Sequence, residues 1–291
     1  MEGKNIMHKD CFQCNINQMK KISQFLGLDH QTNERLIAIT NDYQNHCDMT
    51  QTNPETMGEI WERIIPIIKT DNPYQHIKKH YNHILLSMEN ELQDKMNAHD
   101  LNYALKLAIT GNLIDFAAKH KFDESVLMDM LKRVSSTQLA IDDSADLFDK
   151  VQNSSFLLYL GDNCGEIVLD KCFISRLKQV NPCLKVYYGV RGKPIVNDVT
   201  SDDAYEVKMD EVATIVSSGA RTLGTVLHRT SQEFQDIFHQ VDLVICKGQG
   251  NYEGLMGNEK EYIYFLFMAK CDLVANQIGV DKMSIVCMKN R

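Results

Sequence analysis

The chain has no run of eighteen or more apolar residues, so nothing in it reads as a membrane-spanning helix. Its opening, Met1-Glu2-Gly3-Lys4-Asn5, lacks the apolar core of a secretory signal, and the expected location is the cytoplasm. No block is rich in lysine or arginine. With 31 basic against 39 acidic residues the formal charge is -8, which opposes attraction to nucleic acid or to an anionic membrane, and neither is an expected partner. Internal repeats and low-complexity segments are absent, and no signal of oligomeric state is present. Nine cysteines are an odd number in a long chain without an export signal. Reduced thiols, most of them buried, are therefore expected rather than a disulfide framework. What the chain does have, 44% hydrophobic and 24% charged residues over 291 positions, is the balance of a globular protein of one large or two ordinary domains.

The pattern changes near residue 150. Before it, proline and glycine are sparse, at Gly27, Pro54, Gly58, Pro66, Pro73 and Gly111, and apolar residues recur three and four apart. Leu101, Leu105, Ala108 and Ile109 form one such set, and Val126, Met130, Leu131 and Val134 another, which predicts a helical domain over 1–150. After it, short apolar runs predict strands at Phe156 to Leu160, Val186 to Val190, Val241 to Cys246 and Ser284 to Met288. Helices are predicted between them at Ile167 to Gln179, Met209 to Ser217, Ser231 to His239 and Tyr262 to Ile278. Alternation of this kind predicts an α/β domain over 151–291, a three-layer α/β/α Rossmann-like sandwich on a mainly parallel sheet.

Three polar clusters follow three of the predicted strands. They are Asp162-Asn163-Cys164-Gly165-Glu166, then Arg191-Gly192-Lys193-Pro194-Ile195-Val196-Asn197-Asp198-Val199-Thr200, then Lys247-Gly248-Gln249-Gly250-Asn251-Tyr252-Glu253. In a parallel sheet these strand ends lie on one edge and converge on one cleft. Asp162, Asn163 and Asp198 are hard oxygen donors suited to magnesium or manganese, and Arg191, Lys193 and Lys247 can neutralise an oxyanion. Together they describe a metal-assisted phosphate site. Each acid alone would be an ordinary cap or turn residue; three clusters at three strand ends weaken that explanation. Gly248-Gln249-Gly250 opens like a dinucleotide fingerprint, but Glu253 stands where its third glycine belongs, and no Gly-Lys-Ser/Thr follows Gly161 or Gly165.

In order and spacing these clusters resemble the damage-control phosphatases, a family once catalogued as domain of unknown function 89. The resemblance extends upstream to Asp71-Asn72-Pro73-Tyr74 and to Gly111-Asn112-Leu113-Ile114-Asp115-Phe116, and Cys11-Phe12-Gln13-Cys14 is similar to the mainly prokaryotic branch bearing a Cys-x-x-Cys. It implies a phosphatase acting on small phosphorylated metabolites with a divalent ion, manganese, cobalt, nickel or magnesium. It also implies a helical amino-terminal region before an α/β/α domain. Carried over by position, the metal ligands fall on Asp162, Asn163 and Asp198. Asn112, Asp115, Asn163, Glu166, Arg191, Asn197 and Lys247 match positions around the substrate phosphate, with specificity set near Asn112 and Asp115. Asp71-Asn72-Pro73-Tyr74 departs from the Asp-Pro-Tyr of many relatives.

The expected chemistry is hydrolysis of a phosphate monoester, with Lys247 and Arg191 stabilising charge and Asp162 or Glu166 as general base. In a variant Asp162 itself forms an aspartyl phosphate, which its use as a ligand opposes. The rival from another class is a module that binds metal and phosphometabolite without turnover and reports redox state through Cys11 and Cys14. Methyl transfer ranks below both, for want of a glycine-rich cofactor loop. Cys11 and Cys14 would need further ligands for zinc, with Cys271 and Cys47 as distant candidates, and thiols packing the helical domain are the simpler expectation. His76, His80 and His83 share a helix face expected to be solvated, together with Lys78, Lys79 and Asn82. Trp61 is expected to anchor the helical core with Ile60, Ile64 and Ile65.

Overall fold

The computed structural model describes residues 7–111 and 132–291. Six helices come first: α1 (Lys9–Leu26), α2 (His30–His46), α3 (Asn53–Ile68), α4 (Gln75–Ser87), α5 (Glu89–Ala98) and α6 (Leu101–Thr110). Their starts follow from local chemistry. Asp29 accepts from the Thr32 amide at the head of α2, Thr52 and Glu55 form a reciprocal capping box on α3 with Pro54 in its first turn, and Asp100 caps α6. The second part runs β1 (Ile141–Asp142), α7 (Ser144–Gln152), β2 (Phe156–Leu160), α8 (Glu166–Val180), β3 (Lys185–Val190), α9 (Ser201–Glu206) and β4 (Thr214–Ser217). It continues with α10 (Gln232–Gln240), β5 (Leu243–Lys247), α11 (Gly248–Leu255), β6 (Ile263–Met268), α12 (Asp272–Ile278) and β7 (Ile285–Lys289).

The strands form one sheet in the order β1-β7-β6-β5-β2-β3-β4, and every neighbouring pair is parallel except β6 with β7. The protein is thus α/β with a seven-stranded, mainly parallel sheet. Residues alternate between its two faces, as the two-residue period of a strand requires. Leu157 and Tyr159, Leu243 and Ile245, and Tyr264 and Leu266 face a core built with α4, α5, α6, α7 and α8. Leu158 and Leu160, Val244 and Cys246, and Phe265 and Phe267 face the core shared with α10, α11 and α12. A third core joins α1, α2 and α3 around Trp61, Ile60 and Ile64, and includes Ile195 and Val196 from the segment after β3. Trp61 is the anchor the sequence suggests. Asn112, Asp115 and the Val126 to Leu131 part of one predicted helix lie outside the described residues.

Two predicted helices are strands in part. Tyr262 to Ile278 is β6 followed by α12; every residue of β6 is buried, so Ile-Tyr-Phe-Leu-Phe-Met carries no polar alternation to separate strand from helix. Met209 to Ser217 is one tight 3-10 turn over Met209–Glu211 and then β4, a four-residue edge strand only half buried.

The strands advance from β2 to β3 and β4 on one side and through β5 and β6 on the other. The chain order therefore reverses between β2 and β5, and the crevice beyond their carboxyl ends is where sheets of this type hold ligands.

Candidate active site

The segments after β2, β3 and β5 meet in that crevice. The first two are zipped together by backbone hydrogen bonds. The Cys164 amide donates to the Asn197 carbonyl at 3.0 Å, the Val199 amide to the Asp162 carbonyl at 2.9 Å, and Asn163 and Asp198 form an isolated antiparallel bridge. That pairing sets Asp162, Asn163 and Asp198 side by side. The turn before it places Val196 at a φ of 43°, a left-handed conformation that a β-branched residue adopts only where surrounding packing enforces it. Asn251 ties in the third segment. Fully buried, it accepts from the Thr225 amide at 2.7 Å and donates to the carbonyls of Gly161 at 3.1 Å and Lys247 at 2.7 Å.

A cleft of about 300 Å³ opens over this floor, lined by Asp162, Asn163, Asn197, Asp198, Gly224, Gly250 and Glu253, with Cys14, Asn15, Gln18 and Lys21 of α1 opposite. Arg191, Glu166 and Lys247 lie beneath the lining, 2%, 0% and 0% exposed. Arg191 donates from Nε to Asp198 Oδ2 at 2.7 Å, and its Nη2 lies 3.7 Å from Asp162 Oδ1. Burial pushes the Asp198 carboxyl above the usual carboxylate range, opposed by Arg191 and reinforced by the charge of Asp162. Lys247 spends its three donors on the Ala108 carbonyl at 2.8 Å and on Glu166 and Asp170 at 2.6 Å each. Burial raises both carboxyls against the pull of Lys247. Burial would lower Lys247, but Asp170 and Glu166 together outweigh it and raise it. Tyr159 and Tyr188 donate to Asp170 at 2.8 and 3.0 Å and complete a closed network under the cleft.

The donor set fits a hard divalent cation. Both hydrogen bonds received by Asp198 fall on Oδ2, from Arg191 and the Gly224 amide, leaving Oδ1 as a potential ligand. Asn163 uses Nδ2 toward Asp162 at 2.6 Å and Glu166 at 3.4 Å, leaving its carboxamide oxygen. Among the described residues no group of three His, Cys, Asp or Glu side chains forms a metal cage. Two carboxylates and a carboxamide suit an ion that keeps part of its water shell.

Several residues behave differently from expectation. Lys78 and Asn82 are buried rather than solvated, while His76, Lys79, His80 and His83 are exposed. The helix face turned to water is the histidine face, and the opposite face carries its polar residues into the protein. All nine cysteines are free, and four of them, rather than most, are buried. Cys11 and Cys14 lie within electrostatic range of Cys271 and Glu253, whereas Cys47 feels Asp48 and no other thiol. Asp71 pairs with Arg221 at 2.6 Å, and Tyr74 packs beside Phe25 and Trp61 at the entrance to α4. Asp170 and Asn251, unassigned from sequence, prove central. Asp170 stands four residues after Glu166, hence on the same helix face, a spacing that could have disclosed it.

The sequence pattern of the damage-control phosphatase ARMT1-like domain matches residues 7–286. A damage-control phosphatase of Pyrococcus horikoshii is 29% identical over 283 residues, 97% of each chain. An uncharacterized protein of Methanocaldococcus jannaschii is 32% identical, covering 96% of this chain and 94% of that one. The crystal structure of a DUF89 family protein from Pyrococcus horikoshii superposes with a TM-score of 0.88 at 28% identity over 98% of this chain and 99% of that chain. On this match across nearly its whole length, the chain belongs to the ARMT1-like damage-control phosphatase family.

Proposed function

We propose that the protein is a metal-dependent phosphatase that hydrolyses small phosphate monoesters. The names of its relatives support the phosphatase role. The observation that carries the finer reading is the zipped pair of segments that sets Asp162, Asn163 and Asp198 together on the floor of an open cleft. Those three side chains would hold the ion, manganese, cobalt, nickel or magnesium. When bound, it supplies charge to polarise the phosphoryl group and to activate a water. Arg191, already bonded to Asp198, keeps the acids in place and adds positive charge beneath them. Lys247 offsets Glu166 and Asp170 and fixes the turn from which Asn163 projects. Asp162, the acid at the cleft surface, is the nearer general base than the enclosed Glu166. Gly224 and Gly250 line the cleft, and without side chains the two loops that carry them pack backbone to backbone at its edge.

The test is phosphate release from sugar phosphates, nucleotides and phosphopantetheine compounds. Chelator-stripped protein is used with each metal restored, beside Asp162→Ala. Metal-dependent release should fall by about a hundredfold or more in the variant, since loss of an outer-shell partner alone costs 10–100-fold. Tight binding of metal and ligand without release would sink the phosphatase reading in favour of a binding module. Trapped phosphate on Asp162 would replace water with an aspartyl phosphate.

A further inference from the structure

We infer that α4 is a clamp on the two metal-bearing segments and that Lys78 and Asn82 are its positioning residues. The inference rests on the reading of Asp162, Asn163 and Asp198 as ligands. Lys78 and Asn82 stand one turn apart on the same helix face, 1% and 0% exposed, on a helix that is otherwise partly solvated. Asn82 reaches the first segment: its Oδ1 accepts from the Gly165 amide at 2.6 Å. Gly165 sits at φ 78°, ψ -60° between Asn163 and Glu166, so the bond fixes the bend that turns Asn163 and Asp162 toward the cleft. The far end of the same carboxamide donates to Glu206 Oε2 at 3.1 Å, which sets which of its atoms faces Gly165.

Lys78 reaches the second segment through one intermediary. Its Nζ lies 2.6 Å from Asp203 Oδ2, and that same oxygen accepts from the amide and hydroxyl of Thr200 at 2.8 and 2.6 Å. Thr200 follows Asp198-Val199 and is bridged to Arg191, the residue that holds Asp198. A single rigid helix face thus grips the residues flanking both candidate ligand sets, independently of the backbone zipper between them. Asp71-Asn72-Pro73-Tyr74, which has no place in the cleft lining, acquires a role here. Arg221 holds Asp71 and aromatic packing holds Tyr74, so the segment fixes where α4 begins and hence the register of Lys78 and Asn82.

The test is calorimetric titration of the full chain with Mn2+ alone. Asn82→Leu, with the same branching and number of heavy atoms, removes both bonds and should weaken Mn2+ binding by about tenfold, the low end for supporting residues at metal sites. The pair Asn82→Asp with Glu206→Gln restores an acceptor for Gly165 and a partner for it, and should return affinity to within about threefold of the parent, in keeping with a positional role. Leu85→Ala, in the apolar core of the same helix, should lower Tm with Mn2+ affinity unchanged. Parental affinity in Asn82→Leu, or equal loss in Leu85→Ala, would overturn the clamp. If Asn82→Leu does not fold, Glu206→Ala replaces it: Glu206 is partly exposed, a severalfold loss supports the clamp and none overturns it. If the parent chain binds no Mn2+, the ligand reading falls and hydrogen exchange at Gly165 decides the clamp. Faster exchange in the Asn82 or Glu206 variant sustains it, and unchanged exchange removes it.

Discussion

At Gly248 one methyl group separates two consequences of the same backbone. The residue has φ 79°, a conformation open to glycine and costly for others, and a Cβ there would overlap the carboxylate of Asp162. Gly279 has nearly the same φ, 72°, but a Cβ there would meet nothing within 4 Å. Gly279→Ala should therefore cost about 1–2 kcal/mol of stability, the left-handed penalty, and leave phosphate release untouched. Gly248→Ala should show that penalty and also lose release by about tenfold to a hundredfold, because Asp162 must move. Equal release from the two variants across a titration of the metal would contradict the placement of Asp162 in the site. The contrast also marks what single residues disclose. Asp162, Asn163 and Asp198 were legible because hard donors after apolar runs fall at strand ends. Lys78 and Asn82 were not, because a lysine and an asparagine at helical spacing look the same on a wet face as on one that buries them against a loop.

Elements carry the buried charges. The end of β5 delivers Lys247 under the cleft, and the first turns of α8 deliver Glu166 and Asp170 to meet it. Replacing the lysine by methionine leaves two enclosed carboxyls without their cation, and breaking a buried pair in this way costs about 3–5 kcal/mol near neutral pH. The sign of the pH dependence follows from burial. Both carboxyls already sit above their ordinary values, and Lys247 is what restrains them, so the variant raises them further. A carboxyl raised in the folded state binds more protons folded than unfolded, so its ionisation costs stability as pH rises through the unfolded value and upward to the native one. Urea titrations of Lys247→Met should therefore show its deficit shrinking as pH falls from 8 toward 5, and a deficit independent of pH would contradict this account. The strand and helix holding these groups were both foreseen from sequence. Of the three missed, β1 is only two residues long, β6 is buried on both faces and loses its alternation, and β4 is too short and too exposed to show one.

The whole molecule closes its cleft between parts far apart in the chain, and that closure was the least legible feature. Amphipathic stripes foretold helices before residue 150, but a stripe does not name its partner. The structure turns α4, α5 and α6 against the sheet and gathers α1, α2 and α3 around a separate core that includes Ile195 and Val196. Ion pairs then lace α3 to the α/β part. Glu62 meets Lys193 at 3.2 Å and Arg221 at 3.0 Å, while Glu55 meets His228 at 2.8 Å and Arg229 at 3.2 Å. Burial would raise the Glu55 carboxyl, but the Thr52 amide, Arg229 and His228 together hold it below its ordinary 4.5. A depressed native value means that the contribution is fully present above about pH 4.5 and disappears as pH falls through the native value. Glu55→Gln keeps one acceptor, enough for the α3 cap, but removes the charge and puts an amide donor where Oε1 accepts from His228 and Arg229. Because His228 and Arg229 are well exposed, the loss at pH 7 should be modest, about 1 kcal/mol. Thermal unfolding of parent and variant should differ at pH 7 and converge in acid, with the gap narrowing in high salt as screening weakens the pair. A gap that persists below the native carboxyl value would place the contribution of Glu55 in packing rather than in charge, and would leave Glu62 with Arg221 and Lys193, and Glu59 with Arg229, as the electrostatic ties between α3 and the α/β part.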